Sequence, residues 1–519
     1  MNRRIAVGLF SLASILVFAA HEVPGQESPG GARRVAARIA PRYPSMARSL
    51  NIQGSVSSAK LPVTTASQAA ARYFESGMVH YENHRWNFAL RDWNEAIELD
   101  PSFVQAYVWI CFTTNDPAEE AGDRAKAKAL IHNVTPGEQL LVRWMAGVRE
   151  NRYVEGIMAM NDMLAMFPHD KRLNFLVGYW LFRWQDEYQL SMKLTQRALA
   201  EDPNYATCYN QLGYLYSRLG NVDKALEYTA KYMEFLPNEP NPHDSYGEML
   251  RFAGRYQEAL EQYRIALKID PTFYISQKEL GETYSLMGEE AQARKEYEKA
   301  IHDAPSNGAK AEYQQKQALT YVREKKYAEA DVAYLDAAAK AHTMEQWIWE
   351  ARAHRVMAMY EPDQAAGMKN LDQADALLAA ASGKVAQLDL GEEKAQILRV
   401  RAERALALGD LSGAGKLVAK LEKMASPASS VNTQRIYHGA AGILLMAQAK
   451  YAEAIPQLED DPANPLSMKL LITAYRKTGA ADEAANLSRK LQGWKIPSVE
   501  EALAASDSPA WESALATQN

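Results

Sequence analysis

The sequence predicts an all-α solenoid of stacked antiparallel helix pairs. Three observations predict it. Pro203, Pro237, Pro271 and Pro305 stand 34 residues apart. Gly213, Gly247 and Gly281 hold the same spacing, and so do Ala225, Ala259 and Ala293. Between these landmarks the apolar residues fall on one helical stripe, as at Tyr209, Leu212, Gly213 and Tyr216. Self-similarity at a fixed period marks a repeat architecture, in which each unit contacts only its neighbours. Such an array presents surface to a partner, so binding is the expected class of function.

Residues 1–20 read as a secretory signal. Arg3 and Arg4 precede an apolar run from Ile5 to Ala20, and Val17-Phe18-Ala19 offers small residues at a cleavage position. The run is short for a membrane span. The expectation is export to the periplasm or beyond, with no span left after cleavage; retention as an anchor stays open.

Residues 21–66 read as a linker, rich in Pro, Gly, Ser and Arg without a helical period. It ends in Leu61-Pro62-Val63-Thr64-Thr65-Ala66-Ser67, where Thr65 or Ser67 suits the N-cap of a helix beginning near Gln68.

Residues 67–343 carry the repeat array. Gly77, Ala89, Trp93, Ala96 and Pro101 form a good first unit. Units ending at Pro136, Pro168 and Pro203 follow, before the strictly periodic centre. In each unit Gly and Ala are small because two helices pack closely, and the Pro stops the second helix, since it lacks an N–H. Residues 344–493 continue as degenerate helical repeats, in which Ala402, Gly409, Ala414 and later Gly442, Tyr451 and Ala454 recover the pattern. About eleven to twelve helix pairs fit on this period. Residues 494–519 read as a loop, a short helix and a tail.

At Tyr209, Leu212, Gly213, Tyr216, Ala225 and Pro237 the chain resembles a tetratricopeptide repeat array; Thr229 and Tyr232 depart from that pattern. The fullest match is Leu280, Gly281, Tyr284, Ala293, Tyr297, Ala300 and Pro305. The Pro-Val-Thr-Thr-Ala-Ser opening is similar to that of exported bacterial members. The resemblance implies a right-handed superhelix whose first helices line a concave groove. Some arrays of this family clamp C-terminal carboxylates with Lys and Asn on successive first helices. Here those offsets hold Phe74/Met78, Val108/Phe112, Leu141/Met145, Leu176/Trp180, Asn210/Tyr214 and Asp244/Glu248, so binding of that type is not expected.

Composition narrows the function further. A formal charge of −6 with no basic cluster argues against nucleic acid. No phosphate loop, nucleophile elbow, C-x-x-C or H-E-x-x-H motif is present, so no catalytic residue and no cofactor is expected. His80 and His84 stand i, i+4 on one predicted helix but lack a third ligand, so no metal is expected either. Cys111 and Cys208 are expected to be small buried residues rather than a disulfide.

The candidate binding residues follow from the groove-facing offsets. Trp180 and Trp184, with Arg183 between, have the aromatic and Arg composition of interface anchors; the competing reading is packing between pairs. Asn210, Tyr214 and Arg218, then Asp244, Glu248 and Arg251, make a mixed polar floor suited to a peptide; the competing reading is a solvated face. The function expected is a non-enzymatic scaffold that docks a protein or peptide. Two other readings compete: a periplasmic sensor or cell-envelope assembly subunit, and a glycan-active enzyme with the tryptophans as a sugar platform.

Overall fold

A computed structural model of the chain describes residues 60–505, apart from 115, 186, 305 and 426–428. The signal, most of the linker and the final tail lie outside the described residues. Among the described residues there are 25 α-helices and no strand.

Twenty-four of the helices form twelve antiparallel pairs, joined by two- or three-residue turns except in the fourth pair, where a π-helical turn at Leu181–Gln185 intervenes. The first four pairs are α1 (Gln68–Glu82) with α2 (Trp86–Leu99), α3 (Val104–Thr113) with α4 (Pro117–Ala129), α5 (Pro136–Arg149) with α6 (Tyr153–Met166), and α7 (Lys171–Trp180) with α8 (Tyr188–Glu201). Then follow α9 (Ala206–Arg218) with α10 (Val222–Phe235), α11 (Pro240–Phe252) with α12 (Tyr256–Ile269), α13 (Tyr274–Leu286) with α14 (Glu290–Asp303), and α15 (Asn307–Arg323) with α16 (Tyr327–Thr343). The last are α17 (Trp347–Tyr360) with α18 (Gln364–Ala380), α19 (Gln387–Ala407) with α20 (Leu411–Met424), α21 (Val431–Ala447) with α22 (Tyr451–Glu459), and α23 (Pro465–Thr478) with α24 (Ala481–Gln492). A short α25 (Val499–Ala504) closes the described chain. The architecture is the all-α solenoid of helix pairs that the period predicts.

The landmarks act as the sequence requires. Ala225, Ala259 and Ala293 have no exposed surface. A Cβ on Gly247 would meet Tyr263 Cε1 at 2.8 Å, and one on Gly281 would meet Tyr297 Cε1 at 2.8 Å. In the preceding unit Thr229 takes the place of that tyrosine, with its Cγ2 2.5 Å from where a Gly213 Cβ would stand. The turns reverse through left-handed residues: Gly220, Gly254 and Gly288 have φ of 79°, 76° and 78°. Cys111 and Cys208 are buried free thiols.

First helices of successive pairs touch one another, as α3 with α5, α9 with α11, α11 with α13, and each from α15 to α23. They form the inner layer, with the second helices outside. The array does not stay an open stack, however. Helix α5 reaches α19, and α25 reaches α15, α17 and α23. Arg149 at the end of α5 donates to Asp389 on α19 at 3.1 Å, across 240 residues of sequence.

Three pieces of the chain fold back onto the inner layer. The first is residues 61–66, an extended strap across the N-terminal ends of α3, α5 and α7. The Leu61 amide donates to Asp170 Oδ2 at 2.8 Å and the Thr64 amide to Glu138 Oε1 at 2.8 Å. Thr65 and Ala66 bond to Asp100, and Gln105 donates to the Pro62 carbonyl. The second is the α1–α2 turn. Glu82 accepts from Arg172 Nε and from the Tyr205 hydroxyl at 2.7 Å, and its carbonyl accepts from Thr207 at 2.9 Å. Arg85 in the same turn pairs with Glu239 at 2.9 Å. The third is α25, whose Val499 and Leu503 bury against Leu319, Val322, Val356 and Leu470 while Glu501 pairs with Arg323.

Candidate functional site

These three segments cover much of the inner layer, and among the described residues two cavities open beside them. The smaller, about 140 Å³, lies between the α1–α2 turn and helices α7, α9, α11 and α13. The larger, about 480 Å³, lies where the first third of the array meets the last.

Five of the sequence candidates line the smaller cavity together: Arg183, Tyr214, Arg218, Asp244 and Glu248. Helical spacing brings them there, since the 34-residue period repeats one inner-facing offset from α9 to α11. The Tyr214 hydroxyl donates to Glu248 Oε2 at 2.6 Å. Asp244 is buried and accepts from Ser276 Oγ at 2.6 Å. Burial, reinforced by the nearby Glu279 carboxylate, pushes its carboxyl up to about 8. His84 and Tyr179 form the roof, with ring centroids 5.7 Å apart. Burial, with Arg183 beside it, lowers the His84 imidazole to about 4.

Asn210 and Arg251 sit below this floor. Asn210 is buried and donates to Asn241 Oδ1 at 3.4 Å. Arg251 is buried and clamps three carboxylates, Glu282 at 2.5 Å, Glu279 at 2.9 Å and Glu248 at 3.5 Å. It therefore braces the charged wall rather than facing a ligand.

The tryptophan pair divides. Trp180 is interior, edge-on to Trp144 at 5.6 Å and against Tyr153 at 6.0 Å. Trp184 is 60% exposed and lines the larger cavity. The cause is local: residues 181–185 form a π-helical turn. Its wider winding turns residue i+4 away from the face that residue i occupies. His80 and His84 part in a similar way, because α1 ends at Glu82 and His84 sits in the turn with φ 57°. The expectation of two imidazoles on one helix therefore fails, and among the described residues no group of three metal-ligating side chains exists.

The larger cavity draws its second wall from the degenerate repeats: Trp347, Trp349, Arg352, Arg355, Glu392 and Glu393. Glu393 is buried and pairs with Arg355 at 2.5 Å and Arg352 at 3.3 Å. Arg352 lies 4.3 Å over the Trp349 ring and Lys384 lies 4.1 Å over the Trp347 ring. Glu392 accepts from Ser430 Oγ at 2.5 Å and Asn432 Nδ2 at 2.8 Å, and burial raises its carboxyl above the ordinary range.

Residues 194–227, spanning α8 to α10, match the tetratricopeptide repeat family. This unit of the array is similar to a tetratricopeptide repeat. Human Protein O-mannosyl-transferase TMTC1 is 26% identical over 160 residues, which is 30% of this chain and 18% of that protein. The Hsp70-Hsp90 organizing protein of Triticum aestivum is 23% identical over 241 residues, 39% of this chain and 41% of that protein. The chain thus spans less than half the length of these relatives. Among solved structures, a thermophilic TPR protein of Thermus thermophilus is 21% identical with a TM-score of 0.30, covering 35% of this chain and 96% of that one. Pseudomonas aeruginosa pilF is 18% identical with a TM-score of 0.29, covering 44% of this chain and 97% of that one.

The repeat landmarks led to the smaller cavity, and in the larger one only to Trp184. A signal for it existed in the sequence: Trp347 and Trp349, with Arg352 and Arg355 at the next inner-facing offsets. It lies in the stretch where the repeat period is weakest.

Proposed function

We propose that this chain is a non-enzymatic scaffold that docks a peptide or protein segment along the inner layer of its repeats. One observation carries the reading. Side chains from the starts of three successive inner helices, Gln105, Glu138 and Asp170, already hold an extended segment, the strap, by its backbone. Side-chain bonds to the main chain of an extended peptide are a general recognition mode. Beyond the strap the inner layer stays open at two cavities lined by Tyr214, Arg218, Asp244 and Glu248 and by Trp184. The match to the tetratricopeptide repeat, and the likeness to a protein whose name describes organizing two others, support the same class of function.

The test is selective binding of short synthetic peptides by the full chain, read by fluorescence anisotropy. Arg218→Ala and Trp184→Ala should each weaken the selected peptides at least tenfold with the fold intact by circular dichroism. Equal binding of selected and scrambled peptides, unchanged by either substitution, would sink the proposal.

The same proposal places the scaffold outside the cytoplasm. Arg3, Arg4 and the apolar run Ile5–Ala20 support this, and no described helix is long and apolar enough to cross a membrane. Fusion of alkaline phosphatase after Lys60 should give an active enzyme in intact bacteria. An inactive fusion would return the scaffold to the cytoplasm.

A further inference from the structure

The larger cavity is lined by more acid than base. Six carboxylates line it, from Asp116, Glu120, Asp389, Glu392, Glu393 and Glu500, against the guanidiniums of Arg149, Arg352 and Arg355. All three cations are engaged. Arg149 lies 3.1 Å from Asp389 and 3.4 Å from Glu120, and Arg352 and Arg355 both pair with Glu393. Asp116 is spent on capping its helix. Glu392 is hydrogen-bonded to the neutral Ser430 and Asn432 and feels Arg352 without a direct pair, and Glu500 lines the cavity from the tail helix, within the field of Arg355.

Burying a carboxylate without a directly paired cation is costly, and burial raises the Glu392 carboxyl despite the Arg352 guanidinium nearby. A cation entering the cavity would relieve it. At the rim stands Trp184, exposed, while Trp347 and Trp349 each already carry a cation over the ring. An exposed indole beside carboxylates that outnumber their cations is the composition that takes ammonium and guanidinium groups. The volume is within the ~300–1,000 Å³ range of ligand pockets, room for more than one long side chain. The chain as a whole carries −6, which favours a basic approach.

We infer that this cavity is the docking point for a basic segment of a partner protein, whose Lys or Arg side chains enter between Trp184, Glu392 and Glu500. The inference rests on the scaffold reading and names the chemistry of its ligand. A peptide is favoured over a free polyamine by the strap, which shows inner carboxylates of this same array receiving a polypeptide through its amides and hydroxyls.

The experiment uses the full chain and three labelled probes of equal length: an alternating Gly-Arg peptide, the matching Gly-Glu peptide and a Gly-Ser peptide. Anisotropy should show the Gly-Arg peptide binding at least tenfold more tightly than the other two, with affinity falling as salt rises. Glu392→Gln combined with Glu500→Gln should weaken it at least tenfold, and so should Trp184→Ala. Trp184→Ala removes an exposed ring, so the protein stays folded and the result stays interpretable. Displacement of the Gly-Arg peptide by an equimolar amount of spermidine would overturn the inference in favour of a free-cation receptor. Tight binding that none of these substitutions changes would place the basic segment elsewhere and overturn it too. If the Gly-Glu or Gly-Ser peptide binds best and Trp184→Ala abolishes that, the inference fails while the scaffold reading stands. If no peptide binds, both fail.

Discussion

Glu138 fastens the strap, and its removal should release that segment without unfolding the array. The carboxylate is 1% exposed. It accepts from the Thr64 amide at 2.8 Å, the Thr64 hydroxyl at 2.7 Å, and the Gln105 amide at 3.0 Å. It also closes a capping box with Thr135, from the Thr135 amide at 3.1 Å. Hydrogen bonds to an ionised acceptor contribute about 1.5–3 kcal/mol each. The two from Thr64 belong to the strap, and Thr64 is half-buried, so water recovers part of the loss. Taking the low end for both gives about 3 kcal/mol for local opening, roughly a hundredfold in the opening equilibrium. The capping box adds about 1 kcal/mol of global destabilisation. In Glu138→Ala, hydrogen exchange at the Thr64 amide should accelerate about a hundredfold, while core amides such as those of α9 exchange as slowly as before, offset only by the global term. Glu138→Gln keeps an acceptor oxygen but turns a donor towards Thr64, and should fall between. Thr64 exchange within about threefold of the parent in Glu138→Ala would refute the reasoning and assign the strap to Asp100 and Asp170.

Three further predictions concern the frame. Ala449 holds φ 57° in the turn between α21 and α22, where a Cβ is strained, so Ala449→Gly should raise stability by about 0.5–1 kcal/mol in urea titration. Gly147 crosses Gly156 so closely that a Cβ would lie 2.6 Å from the Gly156 backbone; Gly147→Ala should cost about 1–3 kcal/mol, since backbone cannot give way as a side chain would. Asp244 has its carboxyl raised by burial, so the folded chain binds its proton more tightly than the unfolded chain. Its contribution is present below the ordinary carboxylate range and is lost as pH rises towards about 8. Asp244→Asn should therefore flatten the fall of the urea midpoint across that window, and an unchanged pH slope would contradict the assignment.

The fold was legible because the period is a property of nearest neighbours. Gly213, Ala225 and Pro237 report how one helix meets the next, and that rule generates twelve pairs. The smaller cavity was legible for the same reason, since Tyr214 and Glu248 stand 34 apart and bond directly. What the period could not reveal is contact between distant pairs. Glu82 with Tyr205, Arg85 with Glu239 and Arg149 with Asp389 are meetings fixed by the winding of the whole superhelix, not by any local offset. The separation of Trp180 from Trp184 escaped for a different reason. One π-turn shifts the helical register, and no residue between 181 and 185 announces it.

The contact between Arg149 and Asp389 has a consequence for how this molecule comes apart. A linear stack frays from its ends, because a terminal repeat has one neighbour to lose. Here the strap, the α1–α2 turn and α25 are each tied to the interior, and the first third is tied to the last. Both ends are thus locked by partners that fold far from them in sequence. The chain should assemble slowly, because these ties form only after the intervening pairs are wound. Once closed, it should melt in a single cooperative step, as a globular domain does, with its cavities lost all at once rather than one repeat at a time.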